Sequence, residues 1–530
     1  MASTGPTATD RAWLEPLYTA DEMRELDRWA IEDRDIPSLE LMENAGGGVA
    51  GAVRDLEPSG PVRIVCGKGN NGGDGLVAAR RLGELGVEAE AIMLWPASDL
   101  SADARENYDR LLSVGGKAKQ VGAGELSMAL GGSALAVDAL LGTGFSGSPR
   151  SPIDAAIASI NDLDCPVVAV DVPSGADAST GAVAGACVRA DVTVTFHAAK
   201  LGLWIRPAKA FAGRIEIIDI GIPSLLPADA ARQPKTGLIR PSVIELVPRR
   251  ANDSTKFSSG SVLVVGGSIG LTGAVCMACD AAMRAGAGWV RAAVPRSLNA
   301  IFEQKLTEPM TIPLSDQDGH LDERATGEIL EAAERADSVV LGPGLGRTPG
   351  SFELARKLVA DLDRPLLVDA DGLNALAGEL ELLAGRSAPT VLTPHAGELA
   401  RMLERQSSEV AAQRLEHSRE ASSRTQATVI LKGDDTIVIQ PGGRTAVSPG
   451  GSPGLATAGT GDVLSGAIGA FLAKGLETFE ASCAGVYAHA QAGWLAATEL
   501  GADSVIATDV IRALPAVLRR PAEDGADADA

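Results

Sequence analysis

Short apolar runs alternate with longer amphipathic stretches throughout the first half of the chain. Runs typical of buried strands occur at residues 62–66, 89–94, 135–138, 167–170, 192–195 and 215–218. Between them, apolar positions recur at helical spacing, and two further amphipathic stretches precede the first strand, at 20–32 and 39–56. Because strands and helices alternate, we predict a mostly parallel sheet with ligand-binding loops at the carboxyl ends of its strands.

The alternation begins again after residues 223–260, which are rich in Pro, Ser and charge. The pattern predicts a helix at 273–285, a helical region from 462 to about 514, and strands at 261–265, 289–294, 338–341, 365–368, 390–392, 428–431 and 436–439. A chain of 530 residues is too long for one ordinary core. We therefore predict two α/β domains, 1–232 and 233–520, and an acidic tail at 521–530.

Composition narrows the possible partners. Because its formal net charge is −22, the chain is not expected to bind nucleic acid or an anionic membrane. The same charge repels phosphate, so any phosphate-bearing ligand would be held by local N–H groups, lysines or a metal ion. The first residues lack a basic start and an apolar core, and no apolar run approaches membrane-spanning length. Six scattered cysteines, including a C-x-x-C sequence at 276–279, form no disulfide framework. We therefore expect a cytoplasmic protein.

The most informative segment is Gly459-Thr460-Gly461-Asp462, which an apolar, helix-compatible run follows directly. Backbone N–H groups of such a loop and the helix N-terminus behind it can bind an anion. Asp462 would then be placed to take a proton from a hydroxyl group that attacks a phosphoryl group. The alternative is a Gly-rich turn whose aspartate only caps the helix.

Three loops of the first half follow predicted strands. They span residues 67–75, 137–147 and 170–175, and each combines glycine or proline with Asp, Asn or Ser. Loops at one edge of a parallel sheet converge on one crevice. Hard oxygens from Asn71, Asp138 and Ser174 could hold a monovalent or a hard divalent cation, and Lys200 adds an ionisable group. Structural turns would explain each loop singly, but explain all three together poorly.

Residues 17–222 resemble the YjeF-type N-terminal family, the NAD(P)H-hydrate epimerases. The resemblance rests on GKGNNGGDG, VDALLGTG, DVPSG and the early LMENAG. It implies a Rossmann-like α/β/α sandwich and a potassium ion on Asn71, Asp138 and Ser174. It also implies substrate contacts from Asn70, Asn71, Gly72, Gly73, Asp74, Gly142, Thr143, Gly144, Phe145, Ser146, Gly147, Ser148 and Asp171.

Residues 255 to about 500 resemble the ribokinase-like superfamily, and within it the ADP-dependent NAD(P)H-hydrate dehydratases. The matching sequences are VLVVGGSIGLTGA, RAGAGWV, GPGLG, DADGLN, TPHAGE, KGDDT and AGTGD. The resemblance implies substrate contacts from Ala274, Gly344, His395 and Asp462. It implies nucleotide contacts from Lys432, Gly433, Asp434, Asp435, Thr436 and Gly461. The family usually has His-Lys-Gly where this chain has Thr255-Lys256-Phe257.

Together the two resemblances imply repair of hydrated NADH and NADPH. We expect epimerisation of the R and S hydrates in the first domain, with Asp171 and Lys200 transferring protons and K⁺ bound. In the second, we expect dehydration of the S hydrate with ADP and Mg²⁺, Asp462 acting as the base. Two alternatives stay open: a small-molecule kinase with an accessory N-terminal domain, and an N-terminal binding module without catalysis. We also expect a homo-oligomer, as a tetramer.

Overall fold

The computed structural model describes residues 13–225 and 234–519, which divide into two compact units. The N-terminal unit spans Pro16–Gly237, and the C-terminal unit comprises the chain before Pro16 and from Leu238 onward. The first strand, β1 (Leu14–Pro16), joins the sheet of the C-terminal unit. The predicted boundary at residue 232 and the predicted tail at 521–530 lie outside the described residues.

The N-terminal unit alternates helices and strands as predicted. In chain order its elements are α1 (Ala20–Glu32), α2 (Ser38–Asp55), β2 (Val62–Cys66), α3 (Asn70–Glu84), β3 (Ala89–Met93), α4 (Ala102–Ser113), β4 (Lys117–Gln120), α5 (Leu126–Leu130), β5 (Leu135–Ala139), α6 (Ile153–Asn161), β6 (Val167–Val170), β7 (Val192–Phe196) and β8 (Arg214–Ile218).

The seven strands of this unit form one parallel sheet in the order β4-β3-β2-β5-β6-β7-β8. From β2 the chain adds β3 and β4 toward one edge of the sheet, and it then returns beside β2 to add β5 to β8 toward the other edge. The loops after β2 and β5 therefore turn away from each other and leave a crevice between them. Helices α1 to α4 cover one face of the sheet, and α5 and α6 cover the other. The Rossmann-like sandwich is therefore confirmed.

The C-terminal unit is larger and mixes parallel and antiparallel strands. Its further elements are β9 (Thr236–Ile239), β10 (Ser261–Val265), α7 (Thr272–Arg284), β11 (Trp289–Pro295), α8 (Asn299–Lys305), β12 (Met310–Leu314), β13 (Asp316–Gln317), β14 (His320–Leu321), α9 (Thr326–Ala333), β15 (Ser338–Leu341), α10 (Pro349–Asp361), β16 (Leu366–Val368), α11 (Asp371–Ala375), α12 (Glu381–Ala384), β17 (Thr390–Leu392), α13 (Ala396–Leu403), α14 (Ser407–Ala412), α15 (Arg414–Thr425), β18 (Thr428–Leu431), β19 (Ile437–Ile439), β20 (Thr445–Val447), α16 (Thr460–Ala473), α17 (Thr478–Leu500) and α18 (Ala507–Leu518).

Its main sheet has eleven strands in the order β1-β9-β20-β19-β18-β17-β16-β15-β10-β11-β12. The strands from β18 to β12 in this order run parallel, and β19 is antiparallel to both β18 and β20. One face packs against α7, α16, α17 and α18, and the other against helices that include α9, α10, α13 and α15. The carboxyl ends of β15 to β18 therefore open at the same edge. Among the described residues, no helix has the length and apolar character to cross a membrane.

Helices α7 and α16 approach each other closely where Gly466 faces Ala278. A Cβ atom on Gly466 would lie 2.1 Å from the carbonyl oxygen of Ala278, well inside van der Waals contact. Only glycine allows this approach. Because α16 begins at the Gly459–Asp462 loop, the packing of α7 against α16 sets the position of that loop.

We expect Gly466→Ala to destabilise the C-terminal unit by about 1–3 kcal/mol, because the added methyl group overpacks the helix interface. Gly327→Ala is the matched control: Gly327 lies in α9 with nothing within 4 Å of its built Cβ. There we expect a change between zero and a gain of about 1 kcal/mol. Denaturant unfolding of both variants measures the difference. Equal free energies of unfolding for the two variants would contradict the close approach.

Candidate active sites

The loop between β2 and α3 packs so closely that glycine is required within it. A Cβ atom on Gly72 would lie 1.9 Å from the carbonyl oxygen of Gly67. The loop turns back at this point, and α3 begins at Asn70 directly beside the sheet edge. Asn70 and Asn71 consequently line a cavity of about 630 Å³. Gly72 and Gly73 lie buried beneath the cavity rather than in its wall.

The loops after β5 and β6 complete this cavity. Gly142, Thr143, Gly144 and Phe145 line it, together with Asp171. Of the predicted contact residues 142–148, the last three do not line the cavity.

An ion pair between Asp171 and Lys200 lies at the floor of the cavity. The Lys200 Nζ atom is 3.0 Å from Asp171 Oδ1 and donates a hydrogen bond to the Phe196 carbonyl oxygen at 2.7 Å. The backbone N–H of Thr143 donates to Asp171 Oδ2 at 3.0 Å. Asp171 has φ of +67°, a conformation that is strained for a residue with a side chain. The two predicted proton-transfer residues are thus in direct contact.

Asp138 and Ser174 also meet, at the buried side of the same edge. The Asp138 carboxylate is fully buried and accepts hydrogen bonds from the Ser174 hydroxyl at 2.6 Å and the Ser174 N–H at 2.8 Å. Burial raises the pKa of Asp138 to about 6, although these hydrogen bonds oppose the rise. Near Gly142, the Asn71 side chain is half-buried, and no described residue accepts a hydrogen bond from its buried Nδ2 atom.

This donor set fits a hard monovalent cation, because a buried carboxylate faces only neutral donors and lies at the same edge as amide and hydroxyl oxygens.

Two further carboxyl groups enter the cavity. Asp74, on α3, is buried, and this burial together with the nearby charges of Asp171 and Asp27 raises its pKa well above the ordinary value. Asp27 lies on α1 and lines the cavity. Its pKa is raised to about 6, mainly by burial. Sequence reasoning missed Asp27, since it sits in a helix with no motif around it.

In the C-terminal unit, α16 begins at the predicted anion-binding loop. Gly459, with φ of +91°, is the N-cap residue and offers no side-chain cap. The Thr460 hydroxyl donates to the carbonyl oxygens of Leu455 and Thr457. Among the described residues, no side chain caps the N-terminal N–H groups of α16, so these groups can bind an anion.

A largely buried lysine faces this loop. The Lys432 Nζ atom lies 2.9 Å from Asp369 Oδ1 and 3.8 Å from Glu398 Oε2. A Cβ atom on Gly461 would lie 3.6 Å from the same Nζ atom. Burial alone would lower the pKa of Lys432, but the carboxylates of Asp369 and Glu398 raise it above its ordinary value. Lys432 is therefore held as an ammonium group beside the loop.

Asp369 is the first residue of the DADGLN sequence, but the sequence analysis predicted no role for it. Its carboxylate is buried and accepts a hydrogen bond from the Ser465 hydroxyl at 2.7 Å. Burial would raise the pKa of Asp369, but Lys432 and the Ser465 hydroxyl outweigh this and lower it. Its position directly after the buried strand β16 could have indicated a site residue, because ligand-binding loops follow the strands of a parallel sheet.

Asp462 has the opposite protonation behaviour. Burial and the negative charge of Asp369 raise its pKa to about 7, although Lys432 opposes the rise. A carboxyl group with a pKa near neutrality can accept and release a proton at physiological pH. The alternative that Asp462 only caps α16 finds no support in the described hydrogen bonds, because the N-cap is Gly459 and has no side-chain cap.

His395 caps α13. Its Nδ1 atom accepts hydrogen bonds from the N–H groups of Gly397 at 3.0 Å and Glu398 at 3.3 Å, which places the proton of the neutral ring on Nε2. Burial and nearby Lys432 lower its pKa, against the effect of Glu398. About half of the side chain is exposed, so Nε2 can meet a ligand.

The segment after β18, residues 432–436, combines exposed and buried positions. Asp435 is fully buried, and its Oδ2 atom accepts a hydrogen bond from Arg414 Nε at 2.8 Å. The Thr436 hydroxyl donates to the Gly433 carbonyl oxygen at 2.6 Å. Asp435 is therefore enclosed within the unit, whereas Gly433 is exposed.

Gly344 and Ala274 lie beside each other. A Cβ atom on Gly344, whose φ is +60°, would be 3.1 Å from the Ala274 Cβ atom.

The segment Thr255-Lys256-Phe257, where the family usually has His-Lys-Gly, precedes the first residue of β10 at the amino end of the sheet. All three residues are exposed. The segment therefore lies at the end of β10 opposite the loops described above. All six cysteines are free.

Two family models match the chain. One described as YjeF-related protein N-terminus matches residues 38–202, and one described as NAD(P)H-hydrate dehydratase matches residues 262–516. The chain is 41% identical over 517 residues to a bifunctional NAD(P)H-hydrate repair enzyme of Moorella thermoacetica, covering 96% of this chain and 97% of that protein. It is also 41% identical over 451 residues to the enzyme of that name from Salinibacter ruber, covering 81% and 82%.

A solved structure of an ADP/ATP-dependent NAD(P)H-hydrate dehydratase from Bacillus subtilis, co-crystallized with ATP/Mg²⁺, is 28% identical. The similarity covers 52% of this chain and 94% of that chain, with a TM-score of 0.45.

Proposed function

The chain belongs to the family of bifunctional NAD(P)H-hydrate repair enzymes, and from that membership we propose how its two sites divide the repair of hydrated NADH and NADPH. The N-terminal unit epimerises the R and S hydrates. The C-terminal unit dehydrates the S hydrate with ADP, releasing AMP and phosphate. The observation that carries the proposal is Asp462, a carboxyl group with a pKa of about 7 at an anion-binding helix N-terminus beside Lys432.

Dehydration needs a better leaving group than hydroxide. The hydrate carries a hydroxyl group at C6 of the nicotinamide ring, and transfer of a phosphoryl group to that oxygen turns it into a phosphate. The ring nitrogen then assists loss of phosphate from C6, and loss of a proton from C5 restores the dihydropyridine. Asp462 takes the proton of the hydroxyl group, and the N–H groups of residues 459–461 hold the phosphoryl group. Lys432 stabilises the transferred charge, and residues 432–436 hold the nucleotide.

Magnesium would supply the charge that offsets the nucleotide phosphates. Mg²⁺ is usually held by substrate phosphates with one or two carboxylates, so it needs no complete cage of protein ligands. Among the described residues, no group of three or more His, Cys, Asp or Glu side chains could hold a metal ion. The nucleotide would therefore provide most of the magnesium ligands.

The location and the oligomeric state stay predictions. Six free cysteines are compatible with the reducing conditions of the cytoplasm. Trp494 and Leu495, both 46% exposed on α17, are large apolar side chains of the kind found where copies of a chain meet. Light scattering of the full chain would test the predicted tetramer.

We expect Asp462→Asn to lower the rate of S-hydrate dehydration by about 10²–10⁴-fold, because the amide cannot accept the proton. In the unaltered protein the rate should rise with pH through about 7, since the base acts only when ionised. The variant should lose that pH dependence. Return of reduced-nicotinamide absorbance with ADP measures the rate.

Asp503→Asn is the control for that measurement, because Asp503 is an exposed carboxylate outside the site. It should retain the rate of the unaltered protein. Dehydration by Asp462→Asn at the same rate as the control would remove Asp462 from the mechanism. Accumulation of a stable phosphorylated product would instead support the kinase alternative.

We expect Asp138→Ala to weaken epimerisation and its dependence on potassium while leaving dehydration within a few-fold of the unaltered rate. The fully buried carboxylate is the only charged member of the proposed cation site, formed by Asn71, Asp138 and Ser174. Both rates, measured at low and high potassium from each pure hydrate, check this. Equal loss of both activities in a folded protein would contradict the assignment of Asp138 to the N-terminal site alone.

A further inference from the structure

One face of α1 lines the N-terminal cavity. Met23, Asp27 and Ile31 are spaced four residues apart, so they lie on the same side of the helix, and all three line the cavity. Asp27 is the carboxylate in this otherwise apolar row. Among the residues that the structure describes, none donates a hydrogen bond to it. Asp27 therefore presents its half-buried carboxylate to the cavity and not to a protein hydrogen-bond donor.

The chain that enters α1 is hydrogen-bonded to the segment that carries Lys200. The Tyr18 N–H donates to the Ala199 carbonyl oxygen at 3.0 Å, and the Leu201 N–H donates to the Tyr18 carbonyl oxygen at 2.9 Å. The Thr19 side chain then caps the first turn of α1. Tyr18, just before α1, is thus hydrogen-bonded to the residues on either side of Lys200. Asp27 is therefore placed by backbone contacts and not by a flexible loop.

The cavity contains more carboxyl groups than ammonium groups near its floor. Lys200 is paired with Asp171, and the charges of both act on Asp27. Asp74 adds a further buried carboxyl group. The charged and titratable groups that line the cavity with Asp27 are Arg24, Lys68, Asp74, Asp103, Asp171 and Lys200. Burial raises the pKa of Asp27 to about 6, so that both protonation states are populated near neutral pH.

We propose that Asp27 is a catalytic residue of the N-terminal unit, which exchanges a proton with the C6 hydroxyl group of the hydrate during epimerisation. The inference rests on the proposed epimerase function. Asp171 lies at the sheet edge and Asp27 on α1, so two elements that line the cavity each provide a carboxyl group. Inversion at one carbon requires proton transfer at both faces of the ring, which two such groups can supply.

Epimerisation needs no co-reactant besides water. The lone pair of the ring nitrogen forms a C6=N bond while the C6–O bond breaks, and the oxygen takes its bonding pair and a proton from one carboxyl group to leave as water. Water then adds to the opposite face of C6 and gives a proton to the second carboxylate. The electrons of the C6=N bond return to nitrogen. Proton exchange with solvent restores both carboxyl groups.

Asp27→Asn in the full chain tests this inference. We expect kcat/KM for epimerisation to fall by about 10²–10⁴-fold, because the amide cannot transfer a proton. Dehydration of pure S hydrate should stay at the unaltered rate, which also reports folding of the C-terminal unit. The matched control is Glu32→Gln, since Glu32 is an exposed carboxylate on the same helix. An unchanged epimerisation rate in Asp27→Asn would overturn the proposal.

A pH profile and a conservative variant separate catalysis from a structural role. The unaltered protein should show a change in kcat/KM near pH 6 that Asp27→Asn lacks. Asp27→Glu should recover part of the rate together with that pH dependence. Equal losses in the Asn and Glu variants, or a pH profile that Asp27→Asn leaves unchanged, would overturn the proposal. If the unaltered protein does not epimerise either hydrate, the proposed epimerase function itself fails.

Discussion

The pairing of one buried lysine with more than one carboxyl group governs both sites. In the N-terminal unit Lys200 contacts Asp171, and Asp74 and Asp27 remain nearby without an ammonium group of their own. In the C-terminal unit Lys432 contacts Asp369, and Asp462 remains. Burying several carboxyl groups beside one cation keeps one ionised and raises the pKa of another. Each unit therefore holds a carboxyl group that can exchange protons near neutral pH.

This arrangement depends on the close packing of the parallel sheets. Carboxyl ends of the neighbouring strands β5 and β6 bring Asp138 and Asp171 to one sheet edge. In the other unit, Asp369 after β16 and Lys432 after β18 make contact across the end of β17. Glycines permit the approach: Gly72 lies against the Gly67 carbonyl oxygen, and α3 begins in the same loop at Asn70. The helix N-terminus then provides N–H groups for anions, which a chain with a net charge of −22 cannot attract through its overall field.

Sequence pattern predicted most of the parallel strands but missed several other strands, among them the fully buried β9 and β20. Strand β10 matches its prediction at both ends because all five of its residues are buried and the last four are Val or Leu. Strand β4, Lys117–Gln120, was missed because it lies at a sheet edge and is mostly exposed, so no apolar run marks it. Motif loops located Asp171, Lys432 and Asp462, since glycine and proline mark strand ends, and Lys200 was predicted apart from these loops.

Other features depend on tertiary contacts. Asp27 was missed because its role depends on which face of α1 meets the cavity, and the burial of Asp435 depends on Arg414 from a neighbouring helix.

The most direct test of two cooperating sites starts from pure R hydrate and the purified full chain. With ADP present, the account predicts complete recovery of NADH, with a delay while S hydrate forms. Without ADP, it predicts a mixture of both hydrates and no NADH. Absorbance of reduced nicotinamide and chromatographic separation of the epimers record both quantities. Failure of R hydrate to yield NADH, while S hydrate is repaired normally, would contradict the account.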